Sequence, residues 1–176
     1  MNCFTNTVAL YFKKMLCRPL YLFLPACLAL LTLTRCDEQR LYDQNVNFDE
    51  KVWVVDSMPV FRFQIENPDQ PYNIYWNVRN TVAYPFRNLY ITYYLEDTLG
   101  HTIVKDLQNM ELFEPKTGEP FGDGLGDIFT HQIMAFPNYQ FDSAGTYQIR
   151  LQQYMRRDSL PEILSIGVRI ETAEAE

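Results

Sequence analysis

Apolar and polar residues alternate with a period of two along much of this chain, and this pattern constrains the fold more than any other feature. A β-strand places successive side chains on opposite faces, so such alternation predicts strands with one buried face. The clearest stretches are 60–65, 72–79 and 89–95, with predicted inward residues Phe61, Phe63, Ile65, Tyr72, Ile74, Trp76, Val78, Leu89, Ile91, Tyr93 and Leu95. Further strand-like runs are 52–55, 102–106, 128–136, 147–154 and 164–170.

Turn residues separate these runs, and no segment keeps a helical period for more than about two turns. Short strands joined by turns are typical of an antiparallel sandwich. The sequence therefore predicts an all-β fold, a single antiparallel β-sandwich, Ig-like or jelly-roll-like, over residues 51–176. Residues 107–113 are predicted as either strand or helical turn, and 115–126, which hold four glycines, as a long loop.

Residues 1–35 have the anatomy of a bacterial lipoprotein signal peptide. A basic start contains Lys13, Lys14 and Arg18, and an apolar run follows over 20–33. That run is shorter than the roughly 20 apolar residues of a membrane-spanning helix. We therefore predict that the leader is removed before Cys36, which becomes the first residue of the mature chain and carries the acyl chains.

Alternatives to this processing site stay open. The residue before a lipidated cysteine is normally small, and here it is Arg35. Cys27 follows a more suitable Ala26, but cleavage there would leave part of the apolar run on the mature protein. An uncleaved signal anchor is a third possibility, and Met15 is an alternative start of translation.

Cysteine count and charge limit the partners of the mature chain. All four cysteines, Cys3, Cys17, Cys27 and Cys36, lie at or before the predicted cleavage site, so no disulfide is expected beyond it. Four of the 15 basic residues and none of the 22 acidic residues precede Cys36, which leaves 11 against 22 and a net charge of −11. Nucleic acid is therefore disfavoured as a partner, and attachment to the lipid bilayer would depend on the acylated cysteine.

Residues 36–50 are acidic and polar, and we predict them to be a tether.

No motif indicates catalysis, a metal or a cofactor. His101 and His131 lack the ligand spacing of a zinc site, and no serine lies in a G-x-S-x-G turn. The stretch 122–127 contains three glycines and two aspartates, but it matches neither a phosphate-binding nor a calcium-binding loop. We therefore predict that the chain is not an enzyme.

Three tyrosines have the phase of outward-facing residues. Tyr75 alternates with inward residues of one predicted strand, and Tyr90 and Tyr94 alternate with those of the next. Together they predict an exposed aromatic face that suits a sugar ring or a protein partner. The alternative is a central strand with both faces covered.

The run Tyr72-Asn73-Ile74-Tyr75-Trp76-Asn77-Val78-Arg79-Asn80 resembles the gliding-motility lipoprotein family GldH. The resemblance extends to the residues Tyr84, Asn88, Leu89, Cys36-Asp37 and the segments 122–127, 145–147 and 164–170. It implies a palmitate-carrying lipoprotein of the outer membrane that serves surface motility and the linked secretion of adhesins, with other envelope proteins as partners. It carries over no catalytic residue.

Within the same comparison, the residues predicted to be structural are Trp53, Tyr72, Trp76, Arg79, Asn80 and Asn88. Two functional hypotheses follow. The first is a non-enzymatic accessory or assembly component of an envelope machine, and the second is a surface glycan-binding lipoprotein that uses the outward tyrosines.

Overall fold

The computed structural model describes residues 39–173, which belong to one compact unit spanning 38–176. The predicted leader and Cys36 lie outside the described residues. The described chain forms eleven strands and one 3-10 turn, Asp49–Lys51. The strands are β1 Arg40–Asn47, β2 Val52–Val54, β3 Val60–Ile65, β4 Tyr72–Thr81, β5 Asn88–Glu96, β6 Thr102–Glu111, β7 Asp123–Leu125, β8 Ile128–Tyr139, β9 Gly145–Gln153, β10 Ser159–Pro161 and β11 Ile163–Thr172.

Two antiparallel sheets pack as a sandwich, so the all-β prediction is confirmed. The first sheet has the order β1-β11-β4-β8-β7 and the second the order β3-β9-β5-β6, while β2 and β10 form a separate short pair. Among the eight long strands the first pairs with the last, the second with the seventh, the third with the sixth and the fourth with the fifth. That nesting is a long hairpin rolled into two sheets, which makes the sandwich jelly-roll-like rather than Ig-like.

The predicted strand phase agrees with the burial of the side chains. Every residue predicted to face inward on β3, β4 and β5 is buried, and Trp76 is completely inaccessible to solvent. The rings of Trp76 and Tyr93, from opposite sheets, lie 5.4 Å apart and join the two layers. The Trp76 indole N–H donates to Gln108 Oε1 at 2.7 Å, so the polar atom of this large side chain is satisfied inside the core.

The prediction that residues 36–50 form a tether is wrong for residues 40–47. Residues 40–47 form β1, an edge strand of the first sheet that pairs with β11 over its whole length, so the sandwich begins about ten residues before residue 51. Tyr42 packs on the core, with its ring 5.7 Å from that of Phe63, while Asp43 faces the outer side. An edge strand has one neighbour and can carry polar residues on its open sides, which is why its composition resembled a linker.

Two other segments are more ordered than a loop. Residues 107–111 continue β6, so the helical-turn alternative for 107–113 is excluded over those residues. Residues 123–125 form β7, which pairs with the start of β8 as a short hairpin. Gly124 is required there, because a Cβ at this position would lie 2.6 Å from the Phe129 ring.

Aromatic rings fill both ends of the sandwich. At one end Phe48 stacks on the fully buried Trp53, with centroids 5.1 Å apart. At the other end Phe141 packs against four rings at centroid distances of 4.6–6.0 Å, those of Tyr147, Tyr139, Tyr72 and Phe63. These rings close the core where the strands end. The broad surfaces that could bind a partner are therefore the outer faces of the two sheets.

Candidate functional site

The three tyrosines predicted to form one aromatic face are divided between two surfaces. Tyr75 alternates with the inward residues of β4 and therefore lies on the outer face of the first sheet. Tyr90 and Tyr94 alternate with those of β5 and lie on the outer face of the second sheet, on the opposite side of the sandwich. The single face predicted from sequence is therefore not formed, because β4 and β5, although consecutive in the chain, belong to different sheets.

Tyr94 is enclosed by cations instead of presenting an open ring. The Lys105 ammonium lies 5.1 Å from its ring centroid and the Arg150 guanidinium 4.6 Å from it. These residues come from β6 and β9, the strands on either side of β5. Both contacts are cation–π interactions, and they occupy the ring that a sugar would need for stacking.

Arg150 is held by a carboxylate at the end of β5. Its guanidinium donates to both Glu96 oxygens, at 2.5 Å from Nη2 to Oε1 and 3.2 Å from Nε to Oε2. The hydrogen bonds from Arg150 lower the pKa of the Glu96 carboxyl, the burial of that group opposes the shift, and a bond from Gln148 adds to it. Arg150 is therefore neutralised within the protein.

The outer face of the first sheet is a network of paired polar groups. Arg169 donates to Asp43 at 3.2 Å and also binds Glu171, and the Asn77 amide donates to Asp43 at 3.2 Å. Tyr75 is half-buried beside them, and its burial, followed by the nearby Glu171 charge, raises the pKa of its hydroxyl. Arg169, Asp43 and Glu171 are therefore satisfied by one another.

The residues predicted to be structural have varied positions. Trp53, Tyr72, Trp76 and Asn80 are buried, and Asn80 donates its side-chain amide to the carbonyl of Thr81 at 2.9 Å. Two more lie at the surface of the sandwich. Arg79 is half-buried on the outer face of the first sheet, and the Asn88 amide donates to Asn109 at 2.6 Å across β5 and β6.

One concave surface of the second sheet is a pocket of about 290 Å³ lined by Tyr90, Leu107, Tyr154, Met155 and Arg156. Tyr154 is 58% exposed, Leu107 46% and Tyr90 38%. Two further depressions, of about 370 Å³ and 240 Å³, meet this pocket at Tyr154. Four of the five lining side chains are apolar or aromatic and the fifth is cationic, so the pocket suits an apolar group that has a negative charge beside it.

The loop after β9, residues 154–158, supplies most of this pocket, and we call it the basic loop. Gln153 is 1% exposed and binds both parts of it: its amide donates to the Arg157 carbonyl at 2.6 Å and its Oε1 accepts from the Met155 N–H at 2.9 Å. The Tyr154 N–H donates to the Tyr90 carbonyl at 2.8 Å. The buried amide therefore fixes the shape of an exposed loop.

Arg156 has a backbone conformation that is unfavourable for its residue type. Its φ is 56°, in the left-handed region that glycine and asparagine adopt most easily. A non-glycine residue there is destabilising by roughly 1 kcal/mol. Within residues 39–173 neither Arg156 nor Arg157 forms an ion pair, although Arg157 lies 5.6 Å from the centroid of the Phe86 ring.

The histidines and the glycine-containing segment do not assemble a reaction centre. His101 is exposed and hydrogen-bonded to Asp97 at 3.0 Å. His131 is 3% exposed beneath Gly122, and burial lowers its pKa to about 4. In the part of the chain that the structure describes, no group of three or more His, Cys, Asp or Glu side chains could hold a metal ion.

A profile of the family described as GldH lipoprotein matches residues 40–170, which is most of the chain. The chain belongs to the GldH lipoprotein family. The "Gliding motility lipoprotein GldH homolog" of Christiangramia forsetii is 28% identical over 82% of this chain and 91% of its own length. The "Gliding motility lipoprotein GldH" of Flavobacterium johnsoniae is 28% identical over 82% of this chain and 92% of its own length.

Family membership confirms the resemblance seen in the sequence. Among solved structures, the infectious bursal disease virus VP2 subviral particle shares 13% identity with a TM-score of 0.41, over 77% of this chain and 33% of the viral chain. No inference is taken from so slight a likeness. Between Gln39 and Ala173, no helix has the length and apolar character needed to cross a membrane.

Sequence reasoning did not find the basic loop. Tyr154 lies at the end of the predicted strand 147–154. Nothing in the sequence indicates that the amide of Gln153 is buried. One signal was present: after Cys36, Arg156 and Arg157 are the one pair of adjacent basic residues in a chain with twice as many acidic as basic residues. Their position beside Tyr90 and Leu107 depends on the sheet pairing and could not be read from that signal.

Proposed function

We propose that this protein is a non-enzymatic, membrane-anchored component of the gliding-motility and linked secretion machinery of the cell envelope, where it acts in assembly or as an accessory subunit. The match to the GldH lipoprotein family over residues 40–170 carries the proposal. The printed name of the Flavobacterium johnsoniae relative associates that protein with gliding motility. The family is described as a lipoprotein and its two relatives are named for gliding motility rather than for a reaction, which supports a role in binding and assembly.

The experiment is a replacement of the relative by this chain. A strain of Flavobacterium johnsoniae that lacks its own GldH should spread again when this chain is expressed in its envelope. The same chain with Trp76→Ala, which should be strongly destabilised by loss of a buried ring, is the negative control. Correct envelope expression without any return of spreading would contradict the proposed function in that machinery.

We further propose that Cys36 is acylated and that the domain is held at the outer membrane by its lipid. The leader anatomy supports this assignment, since the apolar run of residues 20–33 ends shortly before Cys36 and the sequence contains no cysteine after it. Stable attachment needs more than one acyl chain, which the lipoprotein modification provides.

Labelling with a palmitate analogue tests the anchor. Cys36→Ala should abolish the label and release the domain from the membrane fraction, while Cys27→Ala should keep both. Loss of the label in Cys27→Ala alone would move the lipidation site. Separation of inner and outer membranes of the labelled strain tests the proposed location.

A further inference from the structure

We propose that the pocket beside the basic loop binds an extended acidic segment of a partner protein, with one apolar side chain of that segment inserted between Tyr90, Leu107 and Tyr154. This inference rests on the proposed function and names the kind of partner that an assembly component would bind there. Three observations support it: exposed apolar area, arginines that form no ion pair within residues 39–173, and a loop held in one conformation.

The pocket offers apolar surface that the folded protein leaves in water. Tyr154, Leu107 and Tyr90 are all more than one-third exposed, and they come from the basic loop, β6 and β5. Met155 completes the lining, and its thioether sulfur accepts a hydrogen bond from the Tyr90 N–H at 3.1 Å. Tyrosine and arginine around a central apolar contact are the residue types that contribute most binding energy at protein interfaces.

The charge next to the pocket favours a negative partner. Arg156 lines the pocket, Arg157 follows it, and neither forms an ion pair within the described chain. Asp158 and Asp106 border the two adjoining depressions but do not line the pocket itself. The pocket wall is therefore cationic in a protein whose overall charge is −7, and a carboxylate-bearing segment would be attracted to this surface and repelled by most of the rest.

Hydrogen bonds within the protein define the conformation of the loop. Gln153 holds it at both ends, and Arg156 adopts an unfavourable φ of 56°. Backbone strain of this kind persists where the surrounding structure enforces it, often at binding sites. A preformed loop loses little conformational entropy on binding, which favours affinity.

A lipid surface explains these features less well. Binding to anionic headgroups by charge uses clusters of about four to eight basic residues. Here two adjacent arginines flank a concave pocket, and Asp158 follows them directly. The concavity and the flanking acid fit a single inserted side chain better than a flat, uniformly negative membrane.

Two substitutions separate a binding role from a structural one. Arg156→Gly removes the cation and also relieves the left-handed backbone, so the variant should be at least as stable as the wild type and yet bind more weakly. Tyr154→Ser removes the most exposed ring of the pocket. Tyr75→Ser, on the opposite face, is the matched control for loss of a tyrosine.

The experiment measures binding of fluorescent peptides to the full chain in detergent micelles. The probe peptide alternates Glu and Asp with Phe and Leu, one control replaces its acids with Lys, and another replaces its Phe and Leu with Gly. We expect saturable binding of the probe alone, weakened about tenfold by Arg156→Gly or Tyr154→Ser and unchanged by Tyr75→Ser. Equal binding of all three peptides, or binding unaffected by both pocket variants, would overturn the proposal.

Vesicles of phosphatidylglycerol and spreading assays provide the remaining arms. Arg156-dependent binding to these vesicles by the chain without its acyl group, together with no peptide binding, would identify a membrane surface and overturn the peptide site. In the replacement strain, Arg156→Gly and Tyr154→Ser should impair spreading while remaining folded. Full spreading with both variants would overturn the docking site alone, whereas failure of the unaltered chain would count against the proposed function.

Discussion

The two outer faces of the sandwich differ in how their charged side chains are paired. On the first sheet Arg169 lies between Asp43 and Glu171, and the Asn77 amide also binds Asp43. On the second sheet Arg150 is neutralised by Glu96, but the arginines of the adjoining basic loop, beside an open aromatic pocket, form no ion pair within the part of the chain that the structure describes. Both faces belong to one jelly roll and share one core.

This difference indicates where the protein can bind a partner. A face whose polar groups are satisfied by one another gains little when another molecule approaches, because those bonds must first be broken. The pocket beside the basic loop has exposed apolar area and, within residues 39–173, an arginine without an ion pair, so a partner can add contacts there without breaking an existing ion pair. The buried amide of Gln153 fixes the conformation of that loop. The difference between the two faces therefore depends on a buried residue as well as on exposed ones.

The largest effect should come from the core that both faces share. Trp76→Ala removes a completely buried indole that packs on Tyr93 of the opposite sheet, and it should lower the free energy of unfolding by about 3–5 kcal/mol. Chemical denaturation of the full chain in micelles measures this change. A loss below about 1 kcal/mol would mean that the two sheets do not pack through this residue.

As the pH falls, protonation of His131 on the first sheet should reduce stability before protonation of Glu96 disrupts the Glu96–Arg150 ion pair of the second sheet. The pKa of His131 on β8 is about 4 in the folded protein, below the ordinary value of 6.5, so the unfolded chain binds one more proton between these pH values. Stability should therefore fall by about 3 kcal/mol as the pH drops from 6.5 to 4. His131→Gln should flatten the stability profile in that window.

The Glu96 contribution has a lower pH range. Its carboxyl pKa is lowered in the folded state, so its stabilisation is present above the unfolded value and is lost as the pH falls below that value. Glu96→Gln should change the profile only at that acidic end. For the His131 prediction, the contradicting result is a wild-type profile of unfolding free energy that is flat from pH 6.5 to 4. That result would show that His131 is protonated as easily in the folded state as in the unfolded one.

A moderate effect is expected where the basic loop is attached. Gln153→Ala leaves the Met155 N–H and the Arg157 carbonyl without their buried partner and should cost about 1–3 kcal/mol. It should also raise hydrogen exchange in residues 154–158 and leave β4 protected. Gln153→Met, which keeps the side-chain length without the amide, should show the same loss of protection. Unchanged exchange in the loop for both variants would mean that the amide does not hold it.

The smallest effect on stability belongs to the residue that matters most for the proposed binding. Tyr154→Ser changes a mostly exposed ring and should alter the free energy of unfolding by no more than about 0.5 kcal/mol. Tyr75→Ser removes a half-buried ring beside Arg169 and should cost more. Thermal unfolding of the two variants tests this order, and the reverse order would remove the distinction between the two faces.

The burial pattern of the central strands follows directly from their residues. In β4 the order Tyr72, Ile74, Trp76 and Val78 places four large apolar side chains on one side, and a strand of period two has only one way to bury them. The edge strand β1 was missed because Asp43, Asn45 and Asn47 occupy its outer positions. An edge strand is stabilised by its neighbour more than by its own composition, so local sequence could not identify it.

Local alternation was enough to predict an antiparallel sandwich and its inward residues, because both depend on short-range pattern, and the resemblance of residues 72–80 to a known family indicated the family. The assignment of β4 and β5 to different sheets, which put Tyr75 and Tyr90 on opposite sides, depended on strand pairings between distant parts of the chain. The same long-range pairing brought Tyr154 next to Tyr90 across 64 residues of sequence, 90 to 154. A pocket made from three separate segments exists only after those strands have paired, since no one segment contains its wall.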